Sequence, residues 1–405
     1  MKMGWQTKKL GELCEIELGK TPARANKAFW DENRETDNVW LSIADLLNAD
    51  DNIVVDSKEY LSDKGAAISR IVRKGTLLVS FKLTLGRLAF AGRDLFTNEA
   101  IAALSIFNDR ELSKEFLFYF LHFFDWRKAA ENDVKLKGMT LNKAKLKEME
   151  VHFPLFREQK QIVKVLDEVF EKTAKAKENA ENNLQNAREL FESYIQSIFV
   201  NPGNEWEHCN LEDYIKFIDY RGRTPEKTES GMRLITAKNV KNGYLQMEPR
   251  EYVHPSIYKT WMTRGIPKVG DVLFTTEAPL ANVAQLDTDE KVVFSQRIII
   301  FQPMFNKIDQ SFLKYLLLSK PIQERIHAKS TGATVKGIKA RWLKKIPIEF
   351  PGLDRQRAIV SRLDSLSTET KKLEAIYKQK LADLEELKKS VLHKAFNGEL
   401  AGACS

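Results

Sequence analysis

Two long stretches of the chain repeat one pattern of apolar and polar positions in the same phase. In the later stretch, mostly apolar residues fall into two columns, each with a spacing of seven. Ile359, Leu366, Leu373, Lys380 and Leu387 make one column; Leu363, Thr370, Tyr377, Leu384 and Val391 make the other, four positions on. The earlier stretch carries the same columns 197 residues before: Ile162, Val169, Ala176, Asn183 and Leu190, then Leu166, Thr173, Ala180, Ala187 and Tyr194. Gln159 matches Gln356, Asp167 matches Asp364 and Phe199 matches Phe396 in that register, with no insertion between them. Seven-residue apolar columns predict long coiled-coil helices. Both stretches lack Pro and interior Gly and are rich in Lys, Glu, Ala and Leu, which favour helix. A length of about 42 residues corresponds to roughly 60 Å of helix.

The joint after the first helix, Asn201 to Glu205, spans at most about 17 Å. The segment that follows must start near the far end of helix one, so an antiparallel helix pair is expected. Apolar residues outside the columns exceed what one seam needs: Val163, Val165, Phe170, Phe191, Ile195 and Phe199 in the first helix, Val360, Ile376, Leu381 and Leu392 in the second. That surplus calls for further interfaces, with the globular domains and with a partner.

The sequence before each helix also occurs twice. Short strand signals bounded by Gly turns pair off: 39–44 with 233–237, Glu59-Tyr60 with Glu251-Tyr252, and 74–80 with 269–275. Thr97-Asn98-Glu99 leads into one apolar strand and Ser295-Gln296-Arg297 into the other. An aromatic-rich amphipathic helix follows in each half, around Phe116–Leu121 and Phe312–Leu318. Next come basic runs, each beside a Gly-X-Thr turn, Gly138-Met-Thr140 and Gly332-Ala-Thr334. The expected architecture is α+β: similar α/β domains at 1–154 and 201–351, followed by long helices at 155–200 and 352–405.

Composition narrows the function. The chain has 64 Lys plus Arg against 56 Asp plus Glu, a net charge of +8, which favours a polyanionic partner. Cys14, Cys209 and Cys404 are scattered and form no CxxC pair; this suits a reducing cytoplasm and excludes a disulfide framework or a zinc ribbon. No apolar run reaches membrane length. Gly19-Lys20-Thr21 superficially suggests a phosphate loop, but the Gly required five residues earlier is Cys14, and the second copy reads Gly222-Arg223-Thr224. A Gly-basic-Thr-Pro turn leaving a strand is the better reading, with the basic residue free to touch a DNA phosphate. No two prolines are adjacent, so the Pro-Pro-aromatic loop of an amino-methyltransferase is missing.

Taken together, Phe153-Pro154, Gln159, Ile162, Val163, Leu166 and Asp167, their copies Phe350-Pro351, Gln356, Ile359, Val360, Leu363 and Asp364, and the tail Ala395 to Leu400 resemble the specificity subunits of type I restriction-modification systems over the whole chain. The segment Gly332 to Ile338 is also similar to the family; the first copy departs from it at Leu141 to Ala144. The resemblance implies DNA sequence recognition without catalysis. Each target-recognition domain would read one half of a bipartite site in double-stranded DNA, with the paired helices setting the spacer. Two methyltransferase (modification) subunits and the motor-nuclease (restriction) subunits would be the partners. S-adenosylmethionine, ATP and magnesium would belong to them, leaving this chain with no cofactor or metal.

On that reading Lys82, Thr84, Arg87 and Asn98 serve the first half-site, and Thr276, Glu277, Asn282 and Arg297 the second. Lys20, Arg24 and Arg223 at the Gly-basic turns, Thr140, Lys143 and Lys145 in the first basic run, Thr334, Lys336 and Lys344 in the second, and Lys238 with Asn239 complete the expected DNA contacts. The alternative is a coiled-coil scaffold that binds DNA without sequence preference.

Overall fold

The computed structural model describes residues 4–49, 51–130, 134–135, 138–222 and 224–400. The chain forms two compact units, Met1–Asn179 with Lys380–Ser405, and Ala180–Gln379. Each long helix, Phe156–Phe199 and Leu353–Phe396, contributes one part to each unit.

In the first unit a five-stranded sheet runs in the order Cys14–Leu18, Ile101–Ile106, Leu77–Ser80, Leu88–Ala91, Ile53–Val54. In the second, a four-stranded sheet runs Ile215–Asp219, Ile298–Pro303, Val272–Thr276, Leu280–Gln285. The central strands are apolar at nearly every position because both sheet faces are covered. Val272, Phe274, Ile299 and Phe301 pack with the helix Gln310–Leu318, while Leu273, Ile298 and Ile300 point the other way, into a core shared with Ile218 and Ile235. Leu77, Val79, Ala102 and Leu104 pack with the helix Lys114–Phe123, and Leu78, Ile101 and Ala103 pack opposite with Val39 and Leu41. A smaller second sheet built around Val39–Leu41 or Met232–Ile235 completes each unit. The strand pairings expected from sequence therefore fall in equivalent sheets.

A buried glutamine fastens each domain to its long helix. The Gln159 side chain accepts from the Ser113 amide (2.9 Å) and donates to the carbonyls of Glu111 (2.8 Å) and Pro154 (2.9 Å). Gln356 repeats this with the Asp309 amide (2.8 Å) and the carbonyls of Lys307 (2.8 Å) and Pro351 (2.7 Å). Both glutamines are fully buried. Two turns further along, Tyr119 donates to Asp167 (2.6 Å) and Tyr315 to Asp364 (2.5 Å).

Within each unit the helix segments run antiparallel. In the first, Ile162 and Leu166 share a core with Leu392 and Ala395, and Lys177 pairs with Glu385 (3.3 Å). In the second, Arg188 pairs with Glu374 (3.4 Å), and Ile195 and Phe199 share a core with Ile359 and Leu363. The surplus aromatics serve the domains: Phe170 meets the Tyr119 ring edge-on at 5.4 Å, and Phe191 meets Tyr315 at 6.4 Å.

One of the two seven-residue columns, that of Leu166 and Leu363, stays packed throughout, and the other holds only part of the way. Leu166, Thr173, Ala180 and Ala187 are buried, but Asn183, Leu190, Leu373, Lys380 and Leu387 are exposed. Their places are taken one residue on by Leu184, Phe191, Glu374, Leu381 and Lys388, all half-buried. The packed stripe repeats after eighteen residues, from Ile162 to Ala180 to Ile198 and from Ile359 to Tyr377 to Ala395. Eighteen residues are five turns of an undistorted helix. A strict heptad drifts by about 20° per repeat on such a helix, and after three repeats the seam has moved to the next residue.

Two predictions follow from this packing. Gln159→Leu or Gln356→Leu leaves three buried or part-buried main-chain groups without their partner, so each should cost about 3 kcal/mol in urea unfolding of the full chain; an unchanged midpoint would remove the fastening role. Leu190→Gln and Leu387→Gln should lie within about 0.5 kcal/mol of wild type, while Leu184→Gln and Leu381→Gln cost about 1–2 kcal/mol. The reverse order would restore the heptad seam.

Candidate nucleic-acid interface

Strand register brings three segments of each domain to one end of its main sheet. Leu18 pairs with Ala102 and Ser80 with Ile101, so the turn after Leu18, the loop after Ser80 and the approach to Ile101 adjoin. In the second domain Asp219 pairs with Ile299 and Thr275 with Ile298, which gathers the turn after Asp219, the loop after Thr276 and the approach to Ile298. The segment leading out of each domain joins the same place. Leu141 donates its amide to Phe81 (2.9 Å), and Ile338 donates to Thr276 (3.0 Å).

These bonds correct two sequence equivalences. Asn98 donates its amide to Leu41 as Ser295 does to Ile235, and Phe81 donates to Ala100 as Thr276 does to Arg297. Asn98 therefore corresponds to Ser295, Glu99 to Gln296 and Ala100 to Arg297. The Gly-X-Thr turns also do not match: Thr140 pairs with Lys82, and the residue bridging to Glu277 is Gly337. Thr334 instead sits in a loop closed by reciprocal amide–carbonyl bonds between Thr331 and Gly337 (both 2.9 Å).

The Gly-basic turns do leave strands. At Gly19 a Cβ would stand 2.1 Å from the Thr97 carbonyl, so only glycine lets the turn close on the neighbouring strand. Lys20 is exposed there, and Thr21 donates to Glu99. Burial opposes ionisation of Glu99, but the Thr21 hydroxyl and the charges of Lys82 and Arg24 outweigh it and hold the carboxyl below its usual range. In the second domain Arg221 grips Asp219 through two hydrogen bonds (2.8 and 2.6 Å) and reaches the Ile338 carbonyl (3.4 Å). Arg223 lies outside the described residues, as does the Thr140 side chain.

Several expected contacts are spent on the protein itself. Arg24 lies over Trp30 (4.1 Å) and Trp40 (4.6 Å) and is held by Glu59. Arg87 donates to the Ile43 carbonyl (3.2 Å), and Asn98 caps its own turn through the Ala100 amide (3.0 Å). Asn239 is buried, accepting from Thr236 and donating to the carbonyls of Gln246 and Pro249. Thr276 is buried against the Arg297 carbonyl, and the Asn282 side-chain amide donates to the Val240 carbonyl (2.9 Å). Of these six, Asn239 and Thr276 are buried, and Arg24, Arg87, Asn98 and Asn282 each bond to neighbouring groups.

Others remain at the surface. Thr84, Lys145, Thr334 and Lys336 are exposed, and Lys82 and Lys143 are half-exposed. Lys143 and Lys145 stand in the first turn of the helix Lys143–Glu148, which Asn142 caps. Lys238 approaches Glu251 (3.7 Å), and the Lys344 ammonium lies 5.6 Å from the Phe217 ring centre. Glu277 and Arg297 form an exposed ion pair at 3.0 Å. Sequence reading missed the Gln159 and Gln356 clamps; their shared position in the two copies was the only signal. Burial pushes the Cys14 thiol up to about 12, so it stays protonated. Among the described residues no helix is long and apolar enough to cross a membrane.

Two similar sheets, each presenting polar loops at the same end and each clamped to a long helix, define a two-domain recognition protein. The chain belongs to the type I restriction modification DNA specificity domain family, whose model matches residues 2–186 and again 203–385. It is a type I specificity subunit with two target-recognition domains. Among similar proteins, the specificity subunit of the type I restriction enzyme MjaVIII from Methanocaldococcus jannaschii is 24% identical, over 98% of this chain and 93% of its own length. A solved chain described under complex assembly and conformational transition of the type I R-M system shares the fold with a TM-score of 0.75 at 18% identity, over 98% of this chain and 99% of that one. The crystal structure of an HsdS subunit from Thermoanaerobacter tengcongensis does so with 0.59 at 18% identity, over 98% of each chain.

The division into contacts and supports is testable. Lys20→Ala and Lys336→Ala should each weaken binding to every duplex alike and reduce the slope of log affinity against log salt by about 1. Asn239→Ala should lower stability by about 2 kcal/mol and leave sequence preference unchanged. A sequence-dependent effect of Lys336→Ala in a binding competition would move that residue to the base-reading set.

Proposed function

We propose that each domain reads one half of a bipartite DNA site through the loops at its sheet end, and that the helix pair holds the two halves at a fixed spacing. The observation that carries this reading is duplication with divergence. The same three loops meet at the same sheet end in both units, on equivalent backbone bonds, while their side chains differ. Lys82 stands where the second domain has Glu277, and Ala100 where it has Arg297. A scaffold has no need for a fixed loop frame carrying variable chemistry.

In this reading the chain is the non-catalytic subunit. It assembles with modification subunits, which carry the methyl transfer, and with restriction subunits, which carry the motor and nuclease. The exposed lysines position the phosphate backbone, and the loop side chains select bases.

The test is to express the chain with its modification subunits in a host lacking adenine methylation, and to map methylated positions across the genome. A split motif with a constant gap is expected. Replacing residues 1–154 with the matching segment of a relative should change one half of that motif and leave the gap and the other half intact. Methylation without a split motif, or a change in both halves, would overturn the reading.

A further inference from the structure

The sheet end of the second domain holds a recess of about 310 Å³, lined by Arg221, Thr276, Glu277, Arg297, Thr331 and Lys339. Two features set Arg297 apart. Its backbone has φ of +96°, a conformation that non-glycine residues rarely adopt, and the equivalent position in the first domain is the buried Ala100. Glu277 engages only one edge of its guanidinium, Oε1 to Nε at 3.0 Å. Among the described residues the two terminal amino groups of Arg297 have no hydrogen-bond acceptor. Both side chains are 45% exposed. The pair is thus a forked donor with an anionic acceptor held beside it, on a loop frame fixed by the amide bonds of Thr276 and Ile338.

We propose that Glu277 and Arg297 together read a single C·G base pair in the major groove of the second half-site, an assignment that rests on the DNA-reading role argued above. Arg297 donates through its terminal amino groups to guanine O6 and N7, and Glu277 accepts from the cytosine N4 amine. The guanine O6 and cytosine N4 of one pair are neighbours, as the two side chains are. An A·T pair keeps the N7 acceptor but places an N6 donor where Arg297 meets O6 and an O4 acceptor where Glu277 meets N4, so these two contacts become repulsive. The inverted pair places the cytosine amine against the arginine. The first domain, with Lys82 and Ala100 at these places, has no such device, and the effect belongs to one half of the site only.

The experiment uses the full chain assembled with its modification subunits. Methylated-motif mapping of wild type and Arg297→Ala is combined with binding competition on duplexes that carry the mapped site. Arg297→Ala should leave one C·G position of the second half-site degenerate and every other position, including the whole first half, as in wild type. Replacing the guanine of that pair with 7-deazaguanine removes the N7 acceptor and should weaken wild-type binding roughly tenfold, with the Arg297→Ala complex unaffected. The DNA-side substitution also decides the matter if the variant fails to fold: no 7-deazaguanine substitution in the second half-site weakening the wild-type complex would overturn the proposal. A second half-site without any C·G pair, or one unchanged in the folded variant, would overturn it too, with the DNA-reading role intact. Absence of any split motif in wild type would instead remove the role on which it rests.

Discussion

Burying the joint between a sheet domain and a long helix creates a difficulty that everything else depends on. The chain leaves its last strand through Phe153-Pro154 or Phe350-Pro351 and must bury main-chain groups where no strand or helix partner exists. A buried amide or carbonyl without a partner costs as much as most single mutations in a core. One glutamine in each copy meets the need, with one acceptor and two donor bonds to main-chain groups alone. Because the clamp addresses only backbone, it does not depend on the side chains of the domain it holds. The apolar contacts around it, Phe170 on Tyr119 and Phe191 on Tyr315, add area to a geometry that the glutamine has already fixed.

The same separation of frame from chemistry holds at the recognition end. Strand ends meet through amide–carbonyl bonds that recur in both domains, Phe81 to Ala100 and Thr276 to Arg297, Leu141 to Phe81 and Ile338 to Thr276. On that frame one domain carries Lys82 and Glu99, the other Glu277 and Arg297. Residues that hold the frame, such as Asn239 and Arg221, are as polar as those that face outward, and the difference lies only in what they bond.

That difference explains what was legible in the sequence and what was not. The duplication, the strand pairs and the constant register from Gln159 to Phe199 were readable, because apolar periodicity and spacing are properties of the chain itself. The one-residue error at Asn98 and Ser295 arose from unequal loops: equivalent residues are 195 apart at Ser80 and Thr275 but 197 apart at Ile101 and Ile298. The burial of Asn239 was not legible, because a polar side chain in a loop looks the same in sequence whether it bonds its own turn or stays open. The column of Ile162 and Ile359 leaves the packed face past Ala176 and Leu366, because a seven-residue spacing drifts on a 3.6-residue helix, while the column of Leu166 and Leu363 stays packed.

The eighteen-residue repeat of the packed stripe acts as a gauge on the length of the helix pair. Adding seven residues to each helix turns its packed face by about 20°, and adding eleven turns it by a similar angle the other way. Adding eighteen returns the face to its starting direction and lengthens the helix by about 27 Å, close to eight base-pair steps of DNA at about 3.4 Å each. Changes of reach in such a molecule are therefore graded by rotational misfit, and the insertion that leaves the seam undisturbed is much longer than a heptad.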